Sequence, residues 1–428
     1  MKPIDLLPGG DAQGLDPRAP APKARHQRLA PPAPGVPLPT PRALAPLGEL
    51  HTEARLDRLA ARAGLGEIAR KVLAGTRLSL ADGRALYANP HLHVVGALAN
   101  HVRERLHGDV AYFNVNQHVN YTNHCNKFCS FCSFDRLPGQ AGAFQLQPDE
   151  VAAKVTQLLH QPITEIHMVA GVWPKIPYAY YLDLLRAVKR ARPAIHIKAF
   201  TMVELDQIAK KGREEAGRET LAEVLADLVA AGLGSCPGGG AEVFSDRVHG
   251  LGYSNKISGS RWLEIAREVH RAGLRSNCTL LHHHVETVDE RLDHLDRLRQ
   301  LQDETGGFQT YIPLSFHPAN NEWSHLPAPT AVDELREIAL GRLMLDNIAH
   351  IKAYWILMDV PVAQTALSYG ADDVDGTVVE ERIYHDAGAT TPQEVQRAEL
   401  VRWIQDAGRI PVERDTLYQV LWRADGAG

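Results

Sequence analysis

Apolar stretches of β character alternate with amphipathic helical stretches along most of this chain, and that alternation restricts it to very few folds. The strand-like runs are Ala111 to His118, Glu165 to Val169, Ile195 to Phe200, Leu233 to Cys236, Leu274 to His282, Phe308 to Phe316 and Ile351 to Met358, with a weaker eighth around Leu367 to Tyr369. Helical periodicity fills gaps at Pro148 to His160, Tyr180 to Arg190 and Arg261 to Ala272. Repeated βα units make a parallel sheet, and seven or eight of them argue for closure into a (β/α) TIM-type barrel with function at the C-terminal strand ends. Four regions are expected: a disordered Pro/Ala-rich tail over 1–50, helices over 51–110 packing on the barrel, the barrel over 111–385, and a helical extension over 386–428. Twelve of the 27 prolines fall before residue 48, where fixed φ and missing amide donors block both helix and sheet. In the second region Ile68, Val72 and Leu73 mark one helical face, and Val94, Val95, Leu98 and Val102 another. Ser79-Leu80-Ala81-Asp82 between them is a capping-box variant.

Directly after the first strand come Cys125, Cys129 and Cys132, a C-x3-C-x2-C spacing. A structural zinc site takes four closed ligands, whereas three thiolates on a cubane cluster leave one iron open to a ligand. Polar residues between the thiols make a poor core strand, which argues against three cysteines buried for packing alone. Five cysteines in all, with Cys236 and Cys278 isolated, disfavour a disulfide framework and point to a reducing, cytoplasmic compartment. A net charge of −5 gives no basic field for nucleic acid, and no apolar run is long enough for membrane insertion. Hydrophobic residues at 44% supply ample core.

Other strand ends carry more polar groups than packing needs. Lys198, Thr201 and Glu204 follow the third strand; Pro237 to Glu242, with Gly239 and Gly240, follow the fourth; His282, His283, His284 and Glu286 follow the fifth; Ser315, His317 and Asn320 follow the sixth. Glycines at such a position let backbone amides approach a ligand. Adjacent strand side chains point to opposite faces, so at most His282 and His284 share a ligand, and a second metal is not expected.

The cysteine spacing resembles the signature of the radical S-adenosylmethionine (SAM) enzymes, and further stretches resemble the aminofutalosine synthases within them. These include Asn120-Tyr121-Thr122-Asn123, Ile197-Lys198-Ala199-Phe200-Thr201, Lys256-Ile257-Ser258-Gly259, Phe316-His317-Pro318, Asp375 to Glu381 and Gly408 to Thr416. The likeness covers roughly residues 65 to 420 and leaves out the tail. It implies a radical SAM (β/α) TIM-type barrel with an N-terminal helical preface and a C-terminal helical extension. It also implies a 4Fe-4S cluster held by Cys125, Cys129 and Cys132, with SAM on the open iron as co-substrate. On that likeness an external one-electron donor is expected to reduce the cluster, with cleavage of SAM to methionine and a 5′-deoxyadenosyl radical. The radical is then expected to add to 3-[(1-carboxyvinyl)oxy]benzoate, with rearrangement and decarboxylation to 6-amino-6-deoxyfutalosine, on the futalosine route to menaquinone. The implied SAM contacts are Phe131, Ala170, Gly171 and Glu286. Gly239, Gly240, His284 and Ser315 are expected to contact the substrate, and Lys198 and His317 to act in catalysis. A doubly anionic substrate needs cations or donors, for which Lys198, His317, Arg409 and Arg414 are the candidates, the first two favoured by their strand-end positions. His317 is expected to bind a carboxylate or move a proton.

The chain departs from the family pattern at the mouth. Ala170 stands for a glycine and Trp173 for a histidine in Met168-Val169-Ala170-Gly171-Val172-Trp173-Pro174, and His282-His283-His284 replaces Tyr-Gly-His. These changes leave room for a variant substrate. Two alternatives stay open: a related radical SAM cyclase or deazaflavin-cofactor synthase acting by hydrogen abstraction, and, from another class, a non-catalytic iron-sulfur interaction protein. Oligomeric state and the identity of the electron donor stay open as well.

Overall fold

Four helices come first: Glu53–Arg62, Gly66–Leu73, Leu80–Ala88 and Leu92–His107. The computed structural model describes residues 52–426, so the proline-rich tail lies outside the described residues. The capping box forms as expected ahead of Leu80–Ala88: Ser79 Oγ accepts from the Asp82 amide, and the Asp82 carboxylate accepts from the Ser79 amide at 2.8 Å.

The run expected as one strand from Ala111 to His118 divides at Val115 into β1 (Val110–Asn114) and β2 (Asn116–Val119), which enter different sheets. The strands that follow are β3 (Glu165–Met168), β4 (His196–Ala199), β5 (Ser235–Cys236), β6 (Arg275–His282), β7 (Phe308–Ser315) and β8 (His350–Ile351). With β2 they form a seven-stranded parallel sheet in chain order, with helices in the connections, as βα alternation requires. The edges of this sheet do not stay open. Strand β9 (Asp373–Gly376) begins a segment in which Asp373 O accepts from Ala353 N at 2.8 Å and Val379 O accepts from His118 N at 3.1 Å, so residues 373–379 bridge β8 to β2.

Two expected strands are corrected. Ile351 to Met358 is strand only to Ile351; the rest enters a helix, Trp355–Ala366, kinked at Asp359 (φ 62°) ahead of Pro361. Trp355, Ile356, Leu357 and Met358 are all buried, and an apolar run buried on every side has no periodicity to separate strand from helix. Leu367 to Tyr369 is a turn ending that helix, with Tyr369 N donating to Ala366 O, and the closing strand begins only at Asp373. The segment expected as a helical extension over 386–428 holds the ten-residue helix Arg397–Asp406 and then two strands, β10 (Ile410–Arg414) and β11 (Val420–Arg423). These form a second sheet in the order β11-β10-β1-β9.

Register decides what faces the barrel interior. Asn116, Glu165 and His196 are paired across β2, β3 and β4, and so are His118, His167 and Lys198 two residues further on. With a side-chain period of two, both rows lie on one face.

Arg103 joins the helical preface to the barrel. Fully buried in Leu92–His107, it donates to the carbonyls of Gly108, Val110 and Ala371. Arg103→Met leaves those carbonyls without their donor and is expected to destabilise the fold by about 3 kcal/mol, read as a lower thermal unfolding midpoint.

Candidate active site

The cysteine loop is held by backbone bonds on both sides. Cys125 N donates to Arg136 O at 3.1 Å, Asn126 N to Val172 O at 3.1 Å, and Ser130 N to Gly252 O at 2.8 Å. Gly171 lets its segment pass close to the start of the loop, because a Cβ there would lie 2.4 Å from His124 O. All five cysteines are free thiols, and the trio lines one chamber at the barrel mouth. Three free thiols from one short loop on one chamber wall are the donor set of a cubane cluster that keeps one iron open, so the residues present fit a 4Fe-4S cluster. Burial pushes the Cys132 thiol up to about 12 and raises Cys125 and Cys129 as well, so cluster binding must displace protons. Lys127 and Lys256 also line this end, and they supply positive charge for a thiolate-bound cluster.

Around the mouth, Phe131 packs edge-on to Tyr253 at 5.9 Å and tilted to Trp323 at 6.2 Å, with the Lys256 ammonium 5.8 Å from its ring. Lys256 is ion-paired with Glu242. Ala170, Gly171, Gly239 and Gly240 all line the chamber beside the cysteines. Gly238 is required there, since a Cβ would come within 2.5 Å of the Asn277 backbone, and Gly240 has φ 85°. Below the mouth, the walls are apolar: Val169, Val203, Leu281, Ile312, Leu314 and Ile383. The floor is polar, formed by His118, His167, Lys198, Lys352 with its partner Asp375, and Tyr354.

Lys198 reaches the chamber as expected, but not as a free cation. Its Nζ lies 2.6 Å from Glu165 Oε1, and both are buried. Burial alone would raise the Glu165 carboxyl; the Lys198 ammonium instead holds it well below the usual carboxylate range. Burial lowers Lys198, opposed by Glu165. His317 also lines the chamber, and its Nε2 donates to Leu357 O at 3.0 Å. Burial lowers its pKa, so Nδ1 is left as a lone pair, suited to taking a proton rather than to donating to a carboxylate. Ser315 lines the chamber and donates to Glu334 Oε1 at 2.8 Å.

Glu286 and His284 are placed differently from expectation. Neither lines the chamber. Both Glu286 oxygens accept bonds within its own loop, from the amides of His283 and His284 and from Arg291 at 2.6 Å. His284 is held to Leu281 O and Glu286 and stacks on Trp323 at 5.4 Å. Strand alternation stops at His283, whose φ of 64° leaves the extended region, so His282 and His283 touch through Nδ1 atoms 2.8 Å apart instead of facing opposite ways. Arg409 pairs with Glu104 at 2.8 Å and Arg414 with Asp373 at 2.6 Å, which ties the C-terminal segment down, and neither arginine lines the chamber. Trp173 lies beside His124 at 6.3 Å and is not part of the chamber lining. Sequence reasoning missed His118, His167, Lys352 and Tyr354. Their signal is the interior phase of their strands, readable only once the register is known.

Residues 119–298 match the Radical SAM superfamily model, and 305–425 match the CofH/MqnC C-terminal region. The chain is 48% identical over 356 residues to the aminodeoxyfutalosine synthase of Thermus thermophilus, covering 82% of this chain and 94% of that one. It is 39% identical over 371 residues to the aminodeoxyfutalosine synthase of Streptomyces coelicolor, covering 84% and 95%. Among solved structures, methylornithine synthase superposes with a TM-score of 0.64 at 16% identity, over 80% of this chain and 96% of that one, which is a likeness of fold.

Gly171→Ala is expected to cost about 1–3 kcal/mol through the clash with His124 O and to lower the iron bound per chain on reconstitution. Glu204 gives a pH test. It accepts from Tyr121 Oη at 2.6 Å, and burial raises its carboxyl from 4.5 to about 7. The folded state therefore holds a proton that the unfolded state releases, and stability falls as pH rises from 4.5 through about 7. In Glu204→Gln that fall is absent, so its unfolding midpoint should gain on the parent's across this window and stay level above it.

Proposed function

The chain belongs to the aminodeoxyfutalosine synthase family of radical SAM enzymes, and from that membership we propose that it joins the adenosyl group of SAM to 3-[(1-carboxyvinyl)oxy]benzoate with loss of one carboxylate. The observation that carries the substrate reading is the chamber itself, where three free thiols and an apolar-walled cavity with a donor-rich floor share one enclosure. A cluster on Cys125, Cys129 and Cys132, when bound, supplies the electron that cleaves SAM. The protein's own part is positioning. Phe131 offers an aromatic face at the cluster end, Gly171, Gly239 and Gly240 let backbone groups approach a ligand, and apolar walls exclude water from the reacting end. His317 Nδ1 is the unprotonated group available to take a proton as the rearranged product forms. Of the departures from the family pattern, Trp173, His282 and His283 fall outside the lining and Ala170 alone lies on it, a difference of one methyl group that supports the family substrate.

No helix among the described residues is long and apolar enough to cross a membrane. Reconstituted protein incubated without oxygen with SAM, dithionite and the enol ether should yield an adenosyl adduct lacking one carboxyl group by mass spectrometry. Cys129→Ala should yield none. Free 5′-deoxyadenosine without adduct would instead favour a hydrogen-abstracting cyclase.

A further inference from the structure

One interior layer of the barrel is not accounted for by packing. Barrel interiors are filled mostly by bulky branched side chains. Here His118, His167 and Lys198 stand in register on β2, β3 and β4, and Lys352 and Tyr354 complete the layer from the stretch after β8. His118, Lys198, Lys352 and Tyr354 are each more than nine-tenths buried. Even so, the Tyr354 hydroxyl and His118 Nε2 have no hydrogen-bond partner. Buried polar groups are almost always satisfied, so two orphans facing one cavity point to a ligand.

The chemistry of the layer selects the ligand. The carboxylates beside it are already engaged, Glu165 with Lys198 at 2.6 Å and Asp375 with Lys352 at 2.7 Å. Each ammonium has three donors, so two remain on each lysine after pairing. Burial keeps Tyr354 protonated and both imidazoles neutral, each with one N–H to give. Free donors therefore converge here; the free acceptors are the imidazole lone pairs, the second Asp375 oxygen, and Glu165 Oε2, which lies on the row two residues earlier without a hydrogen-bond partner. The chamber lining also carries the apolar side chains of Val169, Val203, Leu281, Ile312 and Leu314, beside the polar Asn277 and Thr279, and this apolar surface suits an aryl ring.

We propose that His118, His167, Lys198, Lys352 and Tyr354 form a carboxylate seat that binds the ring carboxylate of the benzoate substrate and sets the depth of its enol ether. This rests on the functional reading above. The vinyl carbon must lie at the cluster end, where SAM is cleaved, so the carboxylate at the far side of the ring is the group that reaches the floor. Charge-assisted bonds from two ammonium groups and neutral donors would hold it in one plane.

The test uses reconstituted holoenzyme with the benzoate substrate and with 2-phenoxyprop-2-enoate, which lacks only the ring carboxylate. The parent should show a KM for this analogue at least about tenfold above that for the benzoate. Tyr354→Phe removes an unpartnered hydroxyl, so its unfolding midpoint should match the parent's. It should raise KM for the benzoate about tenfold, with kcat changed far less, and leave the analogue within about twofold. Lys352→Met should act more strongly in the same sense, but it leaves Asp375 unpaired, so Tyr354→Phe is the deciding variant. Where the analogue is not turned over, its competitive inhibition constant replaces KM. Equal effects on both compounds, or none on the benzoate, overturn the seat while leaving the synthase reading intact. If the parent cleaves SAM but converts neither compound, the synthase reading fails and the seat with it.

Discussion

Two lysine ammonium groups inside the barrel set the terms for much of the structure. Transfer of a charge from water to a protein interior costs several kcal/mol even after relaxation, and an unpaired one would not persist. Lys198 is therefore matched by Glu165 on the neighbouring strand, and Lys352 by Asp375 on the strand that closes the barrel. The second pair constrains topology. Asp375 has a positive φ of 70°, and its amide donates to Asp373 Oδ1, whose other oxygen takes the Arg414 guanidinium from β10. Closing the barrel, placing the second ammonium and anchoring the C-terminal sheet are thus one connected arrangement. Buried pairs of this kind add little net stability compared with apolar packing, so their retention here is better explained by what faces the cavity.

Carboxylates near the mouth follow a different logic. Glu286 accepts from the amides of His283 and His284, Glu381 from those of Ile383 and Tyr384, and Glu204 from that of Thr201. Each satisfies backbone donors where the chain leaves a strand or enters a helix, and each thereby fixes a loop bordering the chamber. A carboxylate just past a strand invites assignment as a ligand group. At Glu286 the local donors outcompete a ligand, because both oxygens are occupied before one arrives.

The sequence made the cysteine loop, the βα alternation and the family legible, because each depends on spacing along one short segment or on period alone. The C-terminal half of the run Ile351 to Met358 was misread because burial on every side erases the period. The polar layer was invisible for another reason. His118, His167 and Lys198 are separated by dozens of residues, and only the pairing of β2 with β3 and β3 with β4 brings them to one level. Lys198 alone could be singled out, as a strand-end cation, and its partner Glu165 could not, since it lies at the start of a different strand. His317 was found by position, but the Leu357 carbonyl that fixes its tautomer belongs to a helix expected as strand.

The division of the chamber into a cluster end, an apolar middle and a donor-rich floor bears on how one reaction outcome wins over another. A primary carbon radical adds to an electron-poor double bond or abstracts hydrogen from a nearby C–H bond, and it takes whichever partner is closest and aligned. The walls here are themselves a source of C–H bonds, from Val169, Val203, Leu281, Ile312 and Leu314. An apolar cavity alone would let an aryl enol ether slide along its axis, because dispersion contacts are nearly uniform along such a surface. Polar contacts at a fixed depth remove that freedom: in the proposed binding mode, donors on the floor would fix one end of the substrate, and SAM held beside Phe131 would fix the position of the other reactant. Addition then follows from separation between two anchored ends, with no requirement that the walls themselves be chemically inert.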